Sequence, residues 1–225
     1  MDIGAIERNL SPQRFSTYLR HAGNDVEAAL ALYQRNTSLG ESLHGAIQGL
    51  EVCLRNAFHR HLTTAFGTPT WYDVRRRIAP NQEYTLLVPR DVESIREVRE
   101  RLIESKGSLY PGDPGLAATP AAMVAALSFG FWVSLSSSQY ELTLWRRPVF
   151  LQNAFGHVGR KPTRDECYQR LNGLRMLRNR VAHHEPIFAR NLKADLALII
   201  ETIGWICPQM ARWVTDTNTL AAKLA

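Results

Sequence analysis

The chain opens without a basic-then-apolar leader. Its first ten residues, MDIGAIERNL, mix charged and apolar side chains, and the expectation is a cytoplasmic protein with reduced thiols. Cysteine is scarce. Cys53, Cys167 and Cys207 lie far apart, which excludes a disulfide framework and a CxxC-type zinc pairing. No strong run alternates apolar and polar residues as a half-buried strand would, and no internal repeat is present. A Gly-Ser loop with a paired Asp-x-Asp is also missing, so a nucleotidyltransferase is discarded. Core-forming residues are not scarce: 45% of the 225 residues are hydrophobic, and five Trp, seven Tyr and eight Phe are spread along the chain. That excludes a disordered tail and allows one substantial core or two small ones.

What the sequence has in excess is positive charge, unevenly placed. The formal charge is +6 and the pI about 9.5. Between Arg146 and Lys193, eleven Lys and Arg stand against three acids, a local excess of +8, so the remainder is slightly acidic. Such a concentration is the electrostatic footprint of a nucleic-acid binder, and also that of a solvated surface face.

The coarse pattern is helical throughout. Ser11-Pro12 reads as an N-cap followed by proline at the first helical position, with Gly23 as the stop. Asn24 reads as the cap of a second helix. Ser38 begins a long third one to Phe66, with Leu43, Ile47, Leu50, Leu54 and Phe58 stepping by three and four. Thr70–Pro80 reads as a connection. Asp91–Ser105 is a charged helix with one apolar stripe, and GSLYPGDP from Gly107 to Pro114 is a loop. Thr119–Ser136 reads as one apolar helix and Gln139–Phe155 as another. Thr163-x-x-Glu166 has the form of a capping box opening a helix to about His183, and Leu192–Cys207 is a further helix broken at Pro208. Thr119–Ser138 is twenty uncharged residues, near the length of a membrane span. Its Ala, Ser and Gly content and the lack of flanking Lys or Arg favour a buried core helix. The expected fold is all-α: an N-terminal helical extension over residues 1–36 and a helical domain over 37–225, together one compact unit. Trp132, Trp145, Trp205 and Trp213 are assigned to core packing, Cys53 to a buried thiol, and His59 and His61 to the surface.

The residues that carry chemistry cluster near the C-terminal end. NGLRMLRNRVAHHEPIF holds Arg178, Asn179, Arg180, His183, His184 and Glu185 within eight residues. Asn179 and His183 are four apart and share a face, as do Arg180 and His184. Arg178 and His183 are five apart and offset by about 140° on an ideal helix. Pro186 ends the helix near His183–His184, where the dipole favours a protonated imidazole. Histidine moves protons near neutral pH, and arginine matches phosphate oxygens as a fork. The set suffices for cleavage of an RNA phosphodiester without a metal; the alternative is a capped helix end whose Arg and His pair with neighbouring acids. No metal-ligand spacing and no cofactor motif is evident.

Arg178-Asn179-Arg180-Val181-Ala182-His183 fits the R-x4-H signature of HEPN-domain ribonucleases. LRNRVAHHEPIF resembles the Abi-like (abortive infection) branch of that superfamily. LYQRNTSLGESLHGAIQGLEVCLRNAFHRHL resembles its first long helix, SFGFWVSL its central apolar helix, and YELTLW the segment after it. The resemblance covers roughly residues 10–210. It implies a HEPN-type helical bundle that dimerises, so that two motifs form one composite cleft. Arg178 and His183 would then be the catalytic pair and Asn179 the motif's polar residue. Glu51, Arg55, Asn56, Arg175, Arg180 and His184 would bind RNA or support the cleft; Glu51 and Arg55 also read as a plain helix-surface pair. It further implies a toxin or phage-defence effector that cuts RNA without a metal or cofactor, held silent by an antitoxin, by a regulatory RNA or by its own N-terminal residues. A non-catalytic RNA-binding or regulatory module is the alternative, and a membrane-associated defence protein a third reading.

Overall fold

The structure is a computed structural model that describes residues 3–79, 82–107, 118–146 and 148–224. The predicted loop lies outside the described residues from Ser108 onward. Among the described residues the architecture is all-α, with one short hairpin. The helices are α1 (Ile3–Leu10), α2 (Pro12–His21), α3 (Val26–Phe66), α4 (Pro89–Gly107), α5 (Pro120–Ala126), α6 (Phe129–Ser134), α7 (Arg164–Ala182), α8 (Leu192–Ile206), α9 (Pro208–Thr217) and α10 (Leu220–Lys223). The hairpin pairs β1 (Arg75–Ala79) with β2 (Gln82–Thr85), antiparallel, in the stretch expected to be a plain connection. RRRIA and QEYT lack the alternation of a half-buried strand, so no period-two signal marks them.

The spine is α3. Its 41 residues give an axis about 60 Å long. Asp25, not Asn24, is its cap: Oδ1 accepts from Ala28 N–H at 3.0 Å. Gly67 ends it in the left-handed conformation, φ 70°. The sequence predicted two helices with a break before Ser38. The helix instead runs through, because the polar residues there turn back onto it. Thr37 Oγ1 donates to the Tyr33 carbonyl at 3.2 Å and Ser42 Oγ to the Ser38 carbonyl at 3.4 Å, so neither competes as a cap. The predicted Leu43, Ile47, Leu50, Leu54 and Phe58 form its buried stripe. The helices α7, α8 and α9 and the turn Leu151–Ala154 pack on that spine. A smaller cluster of Phe15, Tyr18 and Ala29, with Phe188 packed on it, roots α2.

Two apolar stretches differ from expectation. Thr119–Ser138 is two short helices, because Leu127 is extended (ψ 136°) and Ser128 caps α6, its Oγ accepting from Phe131 N–H at 3.2 Å. Among the described residues no helix is long and apolar enough to cross a membrane. Gln139–Phe155 forms turns and 3-10 segments rather than an α-helix. Pro148 disfavours helical geometry before it, and Phe150 sits at φ 48°. The capping box half-closes: Thr163 Oγ1 accepts from Glu166 N–H at 3.2 Å, while the Glu166 carboxylate turns to Arg160. Trp132, Trp145 and Trp205 are buried, but Trp213 is 59% exposed on α9. Cys53 is half-buried against the core, and burial pushes its thiol up to about 11.

Gly49 lies where α9 packs closely on α3. A β-carbon there would lie 2.8 Å from Val214 Cγ2. Gly49→Ala should therefore destabilise the fold by about 1–3 kcal/mol through overpacking, although alanine is the better helix former. Thermal unfolding would show a lower midpoint, recovered in Gly49→Ala/Val214→Ala. An unchanged or raised midpoint in the single variant would mean that the two helices have room to spare.

His59 and His61 are not surface groups. Trp71 Nε1 donates to His59 Nδ1 at 3.1 Å, and His61 Nε2 donates to the Val149 carbonyl at 2.6 Å. Burial, reinforced by the neighbouring Arg60 charge, holds His59 below its ordinary 6.5. The unfolded chain therefore takes up that proton first as the pH drops. The His59 contribution is complete above pH 6.5 and is lost as pH falls below it toward the depressed folded value. The urea midpoint should drop between about pH 7.5 and 5.5, and less steeply in His59→Gln, which can still accept from Trp71. Identical pH slopes in both proteins would contradict this.

Candidate functional site

Arg178 to Glu185 lie at the end of α7, where the chain leaves the helix in a Schellman turn. His183 is the C-cap, the His184 N–H donates to the Val181 carbonyl at 3.1 Å, and the Glu185 N–H donates to the Arg180 carbonyl at 2.8 Å. His184 occupies the left-handed position, φ 55°, where glycine is usual. A histidine held there costs on the order of 1 kcal/mol. The segment that follows is fastened to α3 by Asn36, one of the few buried polar side chains. Its Oδ1 accepts from Ile187 N–H at 2.7 Å and Phe188 N–H at 3.2 Å, and its Nδ2 donates to the Glu185 carbonyl at 3.3 Å.

Between α3 and this segment runs a groove. One part, about 670 Å³, lies between Tyr33, Asn36, Gly40 and His44 on α3 and Val181, His184, Glu185 and Ile187 opposite. A second part, about 210 Å³, continues it past His44 to Gln48, Glu51 and Arg178. The walls are apolar at Tyr33, Val181 and Ile187, and the rim carries titratable groups. Arg178 stands in the narrower part. Its Nε donates to Glu51 Oε1 at 2.7 Å, and the two side chains are 36% and 25% exposed. A pair this open contributes about 0–1 kcal/mol, so its main effect is to aim the guanidinium.

His183 is not part of that groove. It is exposed at the helix end, and its carbonyl accepts from Arg14 Nη2 of α2 at 3.2 Å. Asn179 lies one turn before it on the same face and is half-buried. Among the described residues no hydrogen bond joins Arg178 to His183. Arg180 is exposed and lies 3.7 Å from Glu185, and His184 lines the wider part of the groove. Glu51 thus joins Arg178, but Arg55 and Asn56 do not. They line a separate cavity of about 470 Å³ against α5, where Arg55 Nη1 donates to the Ala125 carbonyl at 3.2 Å. Arg175 faces yet another cavity, against α6, and is held by Asn172. Among the described residues no group of three or more His, Cys, Asp or Glu is placed to hold a metal ion.

Two contributors were missed in the sequence. Asn36 was not singled out; it lies just before Ser38, where the long helix was expected to begin. His44 seemed to carry no pattern, yet it lies seven residues before Glu51 with Gln48 between, the spacing of one helical face. Removing the Asn36 amide leaves the buried Ile187 N–H without its acceptor. Asn36→Ala should cost about 1–3 kcal/mol, read by denaturant unfolding. Amide hydrogen exchange at Ile187 and Phe188 should accelerate with it; unchanged exchange would mean that the segment is held by something else.

With this geometry in place, comparison with known proteins gives one assignment. No curated protein and no solved structure matches the chain. The family model described as Abi-like protein matches residues 7–189, from the end of α1 through α7 and the segment fastened by Asn36. That span is well over half of the sequence and takes in both walls of the groove, and the chain therefore belongs to the Abi-like protein family.

Proposed function

We propose that the protein is an endoribonuclease of HEPN type acting in abortive infection, a defence that arrests the infected cell. Family membership supports the defence role. The observation that carries the nuclease reading is the R-x4-H set itself: a guanidinium aimed by Glu51 into an open groove, and an exposed imidazole at the end of the same helix. In the reaction the ribose 2′-oxygen gives up its proton and attacks the adjacent phosphorus. The bond to the 5′-oxygen breaks, and that oxygen takes up a proton. The products are a 2′,3′-cyclic phosphate and a 5′-hydroxyl. His183 moves the proton, Asn179 holds the imidazole, and Arg178 neutralises charge on the pentacovalent transition state. No step requires a metal or cofactor.

Arg178 lines the groove against α3, whereas His183 stands outside it. A homodimer that sets α7 of one protomer against α7 of its partner would let Arg178 of one act with His183 of the other. The exposed Gly173 and Met176, 58% exposed, leave that face of α7 open for such contact. Arg14, reaching the His183 carbonyl from the N-terminal extension, is suited to cover the motif in a silent state. An antitoxin or a regulatory RNA would act at the same place. One observation favours the non-catalytic reading instead: Arg178 already has a carboxylate partner, as a purely structural ion pair would.

Purified protein incubated with RNA should yield ends bearing 2′,3′-cyclic phosphate without added Mg²⁺. His183→Ala and Arg178→Ala should each lower the rate at least about 100-fold while the fold is kept. Induced expression should arrest growth with fragmented RNA in the wild type only. Ends bearing 3′-hydroxyl groups, a strict Mg²⁺ requirement, or full activity in either variant would overturn the reading. RNA binding without cleavage would favour the regulatory module.

A further inference from the structure

Among the described residues, seven of the cations between Arg146 and Lys193 are in ion pairs: Arg146 and Arg164 with Glu141, Arg160 with Glu166, Arg170 with Glu201, Arg178 with Glu51, Arg180 with Glu185 and Arg190 with Asp195. Arg175 differs. Its Nε and Nη2 rest on a neutral atom, Asn172 Oδ1, at 3.1 and 2.8 Å, and no carboxylate among the described residues reaches it. It faces a cavity of about 340 Å³ between α7, the start of α4, α6 and the turn after α6. Arg90 lines the same cavity, also without a carboxylate partner among the described residues. Asp91, the next residue, is turned into the core, where Tyr140 donates to it at 2.6 Å and Ser134 at 2.8 Å. Among the described residues no acid lines the cavity. Ser137 does, and its Oγ is buried with no hydrogen-bond partner among the described residues.

Two guanidinium groups lining one pocket repel each other, and a buried hydroxyl without a partner is costly. An anion with several oxygens relieves the first, and the second once the Ser137 side chain turns toward the cavity; a phosphate also offers the fork geometry that arginine prefers. We propose that this cavity binds a phosphate group, supplied by an RNA strand that also crosses the R-x4-H motif. The source of the phosphate rests on the ribonuclease reading; the pocket's chemistry does not. Tyr168, Asn172, Arg175, Asn179 and His183 follow one another at steps of four, three, four and four, which is one face of α7. The levels of Arg175 and His183 are separated by about 12 Å along the axis, the rise of three or four stacked nucleotides at ~3.4 Å each. A strand lying along this face places a second phosphate in the pocket while His183 meets the scissile one.

The test compares the wild type, Arg90→Ala/Arg175→Ala and Ser137→Ala, each as the full chain, with two probes. One is a twelve-nucleotide single-stranded RNA with hydroxyl ends, carrying 2′-O-methyl groups so that it cannot be cut. The other is adenosine 5′-monophosphate. The double variant should bind the RNA at least about tenfold more weakly, with a salt slope lower by about one per lost phosphate contact. Ser137→Ala should weaken binding while leaving the thermal midpoint unchanged or higher, since it removes an unpartnered buried hydroxyl. A hydroxyl with only a structural role would not give that combination. Loss of mononucleotide binding alone would keep the pocket and change the source to a free nucleotide. Equal binding by all three proteins, or no binding of either probe by the wild type, would overturn the proposal. A wild type that binds through Arg90 and Arg175 yet never cuts unmodified RNA keeps the pocket and loses the ribonuclease reading; cutting with equal binding does the reverse.

Discussion

A continuous helix of 41 residues can curve only gently between its ends, and that stiffness orders the rest of the molecule. Positions three and four apart on α3 fall on fixed lines. One line, through Leu43, Ile47, Leu50, Leu54 and Phe58, is the buried stripe on which the bundle packs. Another, through Tyr33, Asn36, Gly40, His44, Gln48 and Glu51, forms one wall of the groove. Because both lines belong to one rod, the groove is registered to the core. Gly49 contributes to the same registry by letting α9 close onto α3 to the distance at which Val214 fits.

The opposite wall is less rigid by nature, since it is a helix end and the irregular chain after it. Asn36 makes up the difference. One amide satisfies three backbone groups on Glu185, Ile187 and Phe188, which ties the end of the motif to the rod. Phe188 then packs against Tyr18 and His21 of α2, so the N-terminal helices join the same structure from the far side. The left-handed His184 is tolerated within this frame. The Schellman bonds hold the turn from within, and Asn36 holds it from outside.

Legibility in the sequence followed periodicity. The stripe of α3, the charged helix α4 and the ends of α7 and α8 were readable because apolar spacing, caps and prolines agree there. The break before Ser38 was misread because Asn36, Thr37 and Ser38 are cap-forming types. Here the Thr37 hydroxyl bonds back within the helix, and the Asn36 amide serves a partner about 150 residues away, which no local pattern encodes. Gln139–Phe155 was misread for the converse reason: apolar residues at helical spacing are present, but Pro148 and the positive φ of Phe150 interrupt them. Arg178, His183 and Glu51 were marked in the sequence, yet which of them meet was not. That is fixed by how α7 packs on α3, which brings Arg178 to Glu51 and leaves His183 at the surface.

The charge pattern carries a further lesson. A sequence excess of +8 over Arg146–Lys193 suggests a broad cationic face. Several of its arginines instead pair with acids from other parts of the fold, namely Glu51, Glu141 and Glu201. Each of these pairs keeps at least one partner in contact with solvent, which limits its contribution to stability. Their larger effect is on the field, because each pair leaves only a dipole where a full charge would stand. Attraction for a polyanion then depends on where cations remain unpaired rather than on how many there are. Arg175, set against a neutral amide, keeps its full charge on the face of α7 that also carries Asn179 and His183. In the proposed reaction, an RNA strand drawn to that face would meet Asn179 and His183, which net charge alone would not ensure.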